Sequence, residues 1–270
     1  MLRKRRTPLP SVGPSVILRP ALGLALAALL LAAGREVRAV ELTVLAAGAT
    51  ESTVRDMVGT FEKESGHTVK LTYGAVGLLR DKIYAGEPAD LTIVTPIIIE
   101  QLQAKGVVRP DTRTDLGRVG GGIAVRRGAP RPAIGTPEEL KQAVLAAEEV
   151  YYADPATAGA YFLRVANRLG VGDAARKKGR TAAGGKEAMQ LMAKSTATAL
   201  GLTQISEILS VKEVELLGPY PGDLQLVTTY TGTVLTRTPH PEAAQAFLRF
   251  LTSPPVQARF KQAGFDPPAR

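Results

Sequence analysis

Short apolar runs alternate with amphipathic segments through residues 40–270 of the chain. Runs of four to eight apolar residues between turn residues are typical of buried strands, and apolar positions three or four apart are typical of helices. The predicted strands are 42–46, 68–73, 91–95, 122–126, 150–153, 198–202, 214–217 and 224–231. The predicted helices are 50–64, 77–84, 96–105, 137–148, 158–169, 185–194, 204–209, 241–251 and 255–262. This alternation favours an α/β fold with mostly parallel sheets.

The first predicted strand runs into a turn of small residues. Its apolar residues lead into Ala46-Ala47-Gly48-Ala49, and Thr50 then occupies the N-cap position of a helix. Such a turn directs backbone N–H groups and the positive end of a helix dipole at the space beyond the strand. The sequence therefore predicts a pocket for an anion or another polar ligand at this edge of the sheet.

The N-terminus has the three parts of a secretion signal. Residues 3–6 are basic, residues 21–33 form an uncharged apolar run of 13 residues, and Val37 and Ala39 are small residues at −3 and −1. We predict a signal peptide over residues 1–39, cleaved after Ala39, and a location in the periplasm. The alternative is an uncleaved membrane anchor, for which the apolar run is short. The general secretory and twin-arginine routes both stay open.

Removal of residues 1–39 changes the net charge of the protein from +9 to +3. The basic run at residues 176–180 is short and has no interleaved aromatic residues, so we interpret it as a solvated loop and expect no nucleic-acid partner. The chain has no cysteine. Disulfides, thiolate catalysis, cysteine-based metal sites and a lipoprotein anchor are thereby excluded.

Two extended, glycine- and proline-rich segments suggest that the chain passes twice between two lobes. They lie at residues 119–132 and 218–236. We predict lobe I over residues 40–122 and 224–270 and lobe II over residues 123–223. The alternative is one doubly wound sheet with long loops.

Four segments in order resemble the type II periplasmic solute-binding proteins. The segments are LTVLAAGATESTVRDMVGTFEKESGHTVKLTYGAVGLLRDKI, GEPADLTIVTP, VYYADPATAGAYF and PEAAQAFLRFLTSPPVQ. Within that group the chain looks like the molybdate-binding branch of ABC transporter substrate-binding proteins. The resemblance implies two α/β lobes, each a mostly parallel sheet flanked by helices, joined by two crossing strands and closing over a ligand. It also implies a monomer without a cofactor that delivers a small anionic ligand to an ABC permease in the inner membrane.

The chain departs from that branch where the branch binds its oxyanion. The resemblance places a serine in each of the first two turns and a tyrosine in the second lobe; the corresponding residues here are Ala49, Ala75 with Val76, and Gln204. A buried oxyanion with unsatisfied oxygens is costly in free energy. We therefore expect an organic acid, such as a di- or tricarboxylate, rather than molybdate.

Ligands of open α/β sheets bind beyond the carboxyl ends of the strands. The predicted ligand-binding residues are Ala49, Thr50, Tyr73, Ala75, Val76, Arg80, Thr157, Ala158, Thr203 and Gln204. Arg80 could bind a carboxylate with two parallel hydrogen bonds. Its alternative role is an exposed arginine paired with Glu51 or Asp81.

An enzymatic alternative follows from the resemblance, because similar proteins without the oxyanion serines include periplasmic isomerases that shift the double bond of aconitate. The base would be Glu51 or Asp154. The simpler roles are a first-turn helix acid for Glu51 and a turn cap for Asp154. His67 and His240 are expected away from the pocket loops, which excludes a Ser-His-acid system and a two-histidine metal site. We expect a binding protein, with an aconitate isomerase-like enzyme as the second hypothesis.

Overall fold

The computed structural model describes residues 38–268. Residues 1–37, and with them nearly all of the predicted signal peptide, lie outside the described residues. Across the described range, no helix combines the length and the apolar character needed to cross a bilayer.

Ten strands and ten α-helices make up the described chain. The strands are β1 Glu41–Ala47, β2 Thr68–Gly74, β3 Leu91–Val94, β4 Thr114–Arg126, β5 Glu149–Ala153, β6 Gly179–Ala182, β7 Ala199–Gln204, β8 Val214–Pro219, β9 Val227–Val234 and β10 Phe265–Asp266. The helices are α1 Glu51–Ser65, α2 Val76–Tyr84, α3 Pro96–Ala104, α4 Pro137–Ala146, α5 Thr157–Arg168, α6 Gly172–Lys177, α7 Gly185–Ala193, α8 Ile205–Leu209, α9 Pro241–Leu251 and α10 Pro254–Gln262. Every predicted strand and helix is present, and β4 begins eight residues earlier than expected.

The basic run at residues 176–180 is not a solvated loop. Arg176 and Lys177 end α6, and Gly179 and Arg180 begin β6. The prediction was wrong because β6 is a partly exposed outer strand, with no residue of its four fully buried, and so has no apolar run. Arg180 pairs with Glu149 on the neighbouring strand.

The sheet is mixed, and its strand order is β2-β1-β3-β9-β4-β7-β5-β6, with β8 and β10 also paired to β4. Neighbours are parallel in the outer parts, where β1 pairs with β2 and β3, and β5 pairs with β6 and β7. Every antiparallel pair involves β4 or β9. The parallel parts therefore flank a central antiparallel region.

Strand β4 belongs to both parts of the sheet. Its first half pairs with β9, and its second half, from Gly121, pairs with β7 and β8. Glycine is required at the change-over, because a Cβ atom on Gly121 or Gly122 would overlap the side chain of Tyr220 or Ile205. The chain can cross here because these glycines leave room for tightly packed neighbours.

Helices cover both faces of each part of the sheet. In the first part, buried Phe61 of α1 packs edge-on against Phe247 of α9, and Leu79 of α2 packs with Ile99 of α3 on a separate cluster. In the second part, α4 and α5 share one cluster and α7 and α8 another. Burying one such large apolar side chain contributes about 1.5–3 kcal/mol, so each part has its own substantial core. The exact lobe boundaries at residues 122–123 and 223–224 stay a prediction.

Candidate ligand-binding cleft

A cleft of about 570 Å³ lies among the turns that follow β1, β2, β5 and β6. Gly48, Ala75, Thr157 and Gly185 line it, one from each turn. The first two turns belong to one parallel part of the sheet and the last two to the other. The cleft is therefore built at the carboxyl ends of parallel strands from both parts.

The helices that begin at this cleft lack side-chain caps. A 3₁₀ turn, Gly48–Thr50, leads directly into α1, and neither α1, α2, α5 nor α7 has a capping hydrogen bond from its N-cap side chain. By contrast, α4 begins with a full capping box, in which Thr136 accepts from the Glu139 amide and Glu139 accepts from the Thr136 amide. First-turn amides without a side-chain cap favour an anion. The first turn of α7 differs from the other three, because its Gly185 amide is bonded to the Glu207 carboxylate.

The prediction that Thr50 caps α1 is wrong. Thr50 already has helical backbone angles (φ −93°, ψ −4°), and its hydroxyl donates to the carbonyl of Ala47 at 2.8 Å. The 3₁₀ turn causes this, because it starts the helical path three residues earlier than the sequence pattern indicated. Thr50 is fully buried and does not line the cleft.

Lys186, in the first turn of α7, supplies the positive side chain of the cleft. Among the described residues it is the one lysine or arginine in the lining. Its Nζ lies 2.9 Å from Oε1 of Glu51, which begins α1, and the same oxygen accepts from Nη2 of Arg55 at 3.0 Å. The Glu51 side chain is 18% exposed and that of Lys186 34%. This ion pair joins the two parts of the protein across the cleft.

Glu207 contributes a buried carboxylate to the cleft wall. It accepts hydrogen bonds from the Thr203 hydroxyl and from the amides of Gln204 and Gly185. Burial raises the pKa of the Glu207 carboxyl above its ordinary value, and the negative charge of Glu51 adds to this rise, against the lowering by the three hydrogen bonds. The Glu207 carboxylate is thus the hydrogen-bond acceptor for the Gly185 amide in the first turn of α7.

Sequence reasoning missed both Lys186 and Glu207. The turn Ala183-Gly184-Gly185 before Lys186 has the same small-residue pattern as the first turn, but its preceding strand was not recognised. Glu207 stands three residues after Gln204, which is capping-box spacing. Both signals were present in the sequence.

Most of the predicted ligand-binding residues line the cleft. They are Ala49, Tyr73, Ala75, Val76, Thr157, Ala158 and Gln204. Glu51, named as a possible base, lines it as well. Thr203 does not, because its buried hydroxyl is bonded to Glu207.

Arg80 lies outside the cleft lining. Its Nε donates to Asp81 at 2.8 Å and its Nη1 to Gln101 at 3.1 Å. The structure therefore has the alternative arrangement, in which the arginine pairs with Asp81.

Two polar side chains in the lining have special surroundings. The Gln204 amide nitrogen donates to the carbonyls of Val119 (3.3 Å) and Gly120 (3.0 Å) in β4, and its amide oxygen accepts from the Thr228 hydroxyl at 3.2 Å. The side chain therefore binds the backbone of β4.

The Tyr73 hydroxyl is buried without a partner in the part of the chain that is described. Burial raises the pKa of Tyr73 far above its usual range, although the nearby Arg55 guanidinium opposes this, so Tyr73 is a neutral group.

Asp154 lines a second cavity of about 530 Å³, beside Thr95 and Val227. The two cavities share the turns at Ala75 and Thr157. Asp154 does not cap α5, because the N-cap residue of that helix is Ala156, which makes no side-chain capping hydrogen bond. Asp154, the second possible base, therefore lines a different cavity from Glu51.

Neither histidine lines the main cleft. His67 is buried, and its Nδ1 accepts from the Val40 amide at 3.4 Å. His240 immediately precedes α9. Within residues 38–268, no group of three or more histidine, aspartate or glutamate side chains is arranged to hold a metal ion.

The family profile described as bacterial extracellular solute-binding protein matches residues 42–266 of the chain. The chain belongs to this family. The resemblance predicted from the four sequence segments is confirmed, and so is the two-lobed α/β fold class. The main cleft is thus the space between the lobes of a solute-binding protein.

Two curated relatives match over most of their length. The aconitate isomerase of a Pseudomonas species is 32% identical over 255 residues, which cover 90% of this chain and 95% of that protein. The molybdate-binding protein ModA of Azotobacter vinelandii is 28% identical over 238 residues, covering 84% and 90%. The solved structure of the Azotobacter vinelandii periplasmic molybdate-binding protein superposes with a TM-score of 0.70 at 21% identity, covering 84% of this chain and all of that one.

Proposed function

We propose that this protein is a periplasmic receptor that captures a small organic acid, of the di- or tricarboxylate class, in the interlobe cleft. One observation carries the proposal. Uncapped helix N-termini and Lys186 favour an anion, while Ala49 and Ala75 present methyl groups at the turns where an oxyanion receptor needs hydroxyl donors. A tetrahedral oxyanion would leave oxygens without partners, whereas a larger acid can spread its carboxylates over the turns and Lys186.

The proposed cycle is hinge closure. The acid binds one lobe, and the second lobe rotates about β4 near Gly120–Gly122 and about the segment 218–223 until the cleft closes. The closed monomer then presents both lobes to an ABC permease in the inner membrane. No cofactor takes part. Export through the signal peptide, cleaved after Ala39, would place the receptor in the periplasm.

A thermal-shift panel tests this proposal. Purified protein is heated with cis-aconitate, trans-aconitate, citrate or succinate, and in parallel with molybdate, tungstate or sulfate. We expect stabilisation by at least one organic acid that grows with its concentration, since a ligand that binds only the folded state raises the melting temperature. Stabilisation by molybdate or tungstate and by none of the organic acids would overturn the proposal.

A second candidate function is isomerisation of aconitate, supported by the 32% identity to the Pseudomonas aconitate isomerase. The reaction needs a base that removes a proton from the methylene carbon, a shift of the double bond, and return of a proton to the former vinyl carbon. Glu51 is the carboxylate suited to this role, with Lys186 beside it to balance the charge that develops on the substrate carboxylate.

Proton NMR separates the two functions. The protein is incubated with pure trans-aconitate, and the vinyl and methylene signals of both isomers are followed against a protein-free sample. Accelerated approach to the cis–trans equilibrium supports the isomerase. Saturable binding without interconversion supports the receptor.

A further inference from the structure

We infer that Glu51 is a built-in competitor for the ligand: its carboxylate pairs with Lys186 across the cleft, and a ligand carboxylate takes its place. This inference rests on the proposed function and adds the residue that sets the site's affinity and selectivity. The pair is placed for this role, because Lys186 lies in the first turn of α7 in one lobe and Glu51 begins α1 in the other.

Glu51 can release Lys186 without losing its own partner. Its Oε1 is shared between Lys186 at 2.9 Å and Arg55 at 3.0 Å. Arg55 is one helical turn further along α1, so this second pair stays within one helix whatever the lobes do. When a ligand arrives, Glu51 keeps Arg55 and Lys186 turns to the ligand.

The position of each charge on its helix supports the exchange. Glu51 lies in the first turn of α1, where the helix dipole stabilises a negative charge, so its carboxylate is stable without Lys186. Lys186 lies in the first turn of α7, where the dipole disfavours a positive charge. Lys186 therefore needs a counter-ion, which Glu51 or a ligand carboxylate supplies.

The exchange predicts which ligands the site selects. A ligand gains binding free energy only if one of its carboxylates replaces that of Glu51 at Lys186. Its remaining negative charge must then bind at the helix N-termini. An acid with one carboxylate would lose most of its binding free energy, because its carboxylate only replaces that of Glu51 at Lys186. An acid with two or three carboxylates fits both requirements, which narrows the proposed ligand to polycarboxylates.

Isothermal titration calorimetry of the full chain with tricarballylate tests the inference. This tricarboxylate has no double bond, so isomerisation cannot disturb the titration. Glu51→Gln should tighten binding about fivefold, the size of a partly exposed ion pair, and Lys186→Gln should weaken binding at least about tenfold. The decisive sample is the double variant, in which Glu51→Gln should no longer tighten binding because there is no Lys186 to release.

The matched controls are Lys82→Gln and Glu87→Gln, which break a comparable ion pair of 2.7 Å that does not line the cleft. Both should bind tricarballylate like the wild type. If Glu51→Gln tightens binding equally with and without Lys186, Glu51 acts by simple repulsion and the inference fails. An unchanged affinity in Glu51→Gln also overturns it, while the proposed receptor stands. If the wild type binds no polycarboxylate, the proposed function and the inference both fail.

Discussion

The carboxylate of Glu207 occupies the space beside Gly185 into which a side chain would project. A Cβ atom on Gly185 would overlap Oε2 of Glu207 and Oγ1 of Thr203, whereas one on Gly184 would meet nothing within 4 Å. The start of α7 can approach α8 this closely because residue 185 has no side chain. This contact fixes the turn from which Lys186 reaches across the cleft.

Gly185→Ala should therefore destabilise the protein by about 1–3 kcal/mol, the usual cost of overpacking a buried site. The matched control is Gly184→Ala, which should change the free energy of unfolding by no more than about 0.5 kcal/mol. Urea unfolding followed by circular dichroism measures both. Equal stabilities of the two variants would show that the turn adapts and that the contact is not tight.

Glu207→Gln should change how stability depends on pH. Burial raises the pKa of Glu207 in the folded protein above its ordinary value of 4.5, so between those two values the folded state keeps a proton that the unfolded state has lost. The unfolded state then gains relative stability as the pH rises. The free energy of unfolding of the wild type minus that of Glu207→Gln should be constant below about pH 4.5 and should fall above it.

The measurement is a series of urea titrations from pH 4 to pH 8 on both proteins. Glu187→Gln, the same change at an exposed position of α7, is the control for net charge. A stability difference that rises with pH would mean that the hydrogen bonds from Thr203, Gln204 and Gly185 outweigh burial.

The sequence was sufficient to predict the fold and three of the four turns of the cleft. Strand–turn–helix units with apolar strands, such as the one ending at Ala49, carry a clear hydrophobic pattern. The fourth turn was missed because β6, which precedes it, is polar and partly exposed. Consequently α7 was predicted as a helix, while its N-terminus and Lys186 were not assigned to the cleft.

Side-chain direction was harder to predict than position along the chain. Arg80 was correctly placed on a helix that begins at the cleft, but the pattern did not show that its guanidinium turns to Asp81 and Gln101. Thr203 and Gln204 are both predicted ligand-binding residues, but the Thr203 hydroxyl is bonded to Glu207 and lies outside the lining. Gln204 lines the cleft, and its amide also bonds buried groups of β4 and Thr228. Such pairings depend on residues distant in sequence, which periodicity does not report.

Arg80→Gln should leave the affinity for polycarboxylates unchanged within about twofold, since its guanidinium is held outside the cleft. Titration calorimetry with tricarballylate is the measurement, and Lys186→Gln in the same experiment shows the loss expected of a residue that faces the cleft. A tenfold weakening in Arg80→Gln would mean that Arg80 turns to the ligand when the lobes close.

The double variant Ala49→Ser with Ala75→Ser should gain affinity for molybdate. Both alanines line the cleft, so each serine adds a hydroxyl donor where the wild type has a methyl group. Hydrogen bonds to a charged group contribute about 1.5–3 kcal/mol each, so molybdate affinity should rise at least about tenfold. Thermal shift against molybdate concentration measures the gain, with Ala85→Ser, an exposed change outside the cleft, as control. No gain would show that something other than the missing hydroxyls excludes the oxyanion.

Competition between ligand classes tests the central claim most directly. The purified protein is equilibrated with equal concentrations of trans-aconitate and molybdate, and the bound species is identified from its mass by native mass spectrometry. We predict one organic acid per chain and no molybdate adduct. A molybdate adduct with no bound acid would contradict the account, because it would show that the cleft satisfies a tetrahedral oxyanion without side-chain hydroxyls at Ala49 and Ala75.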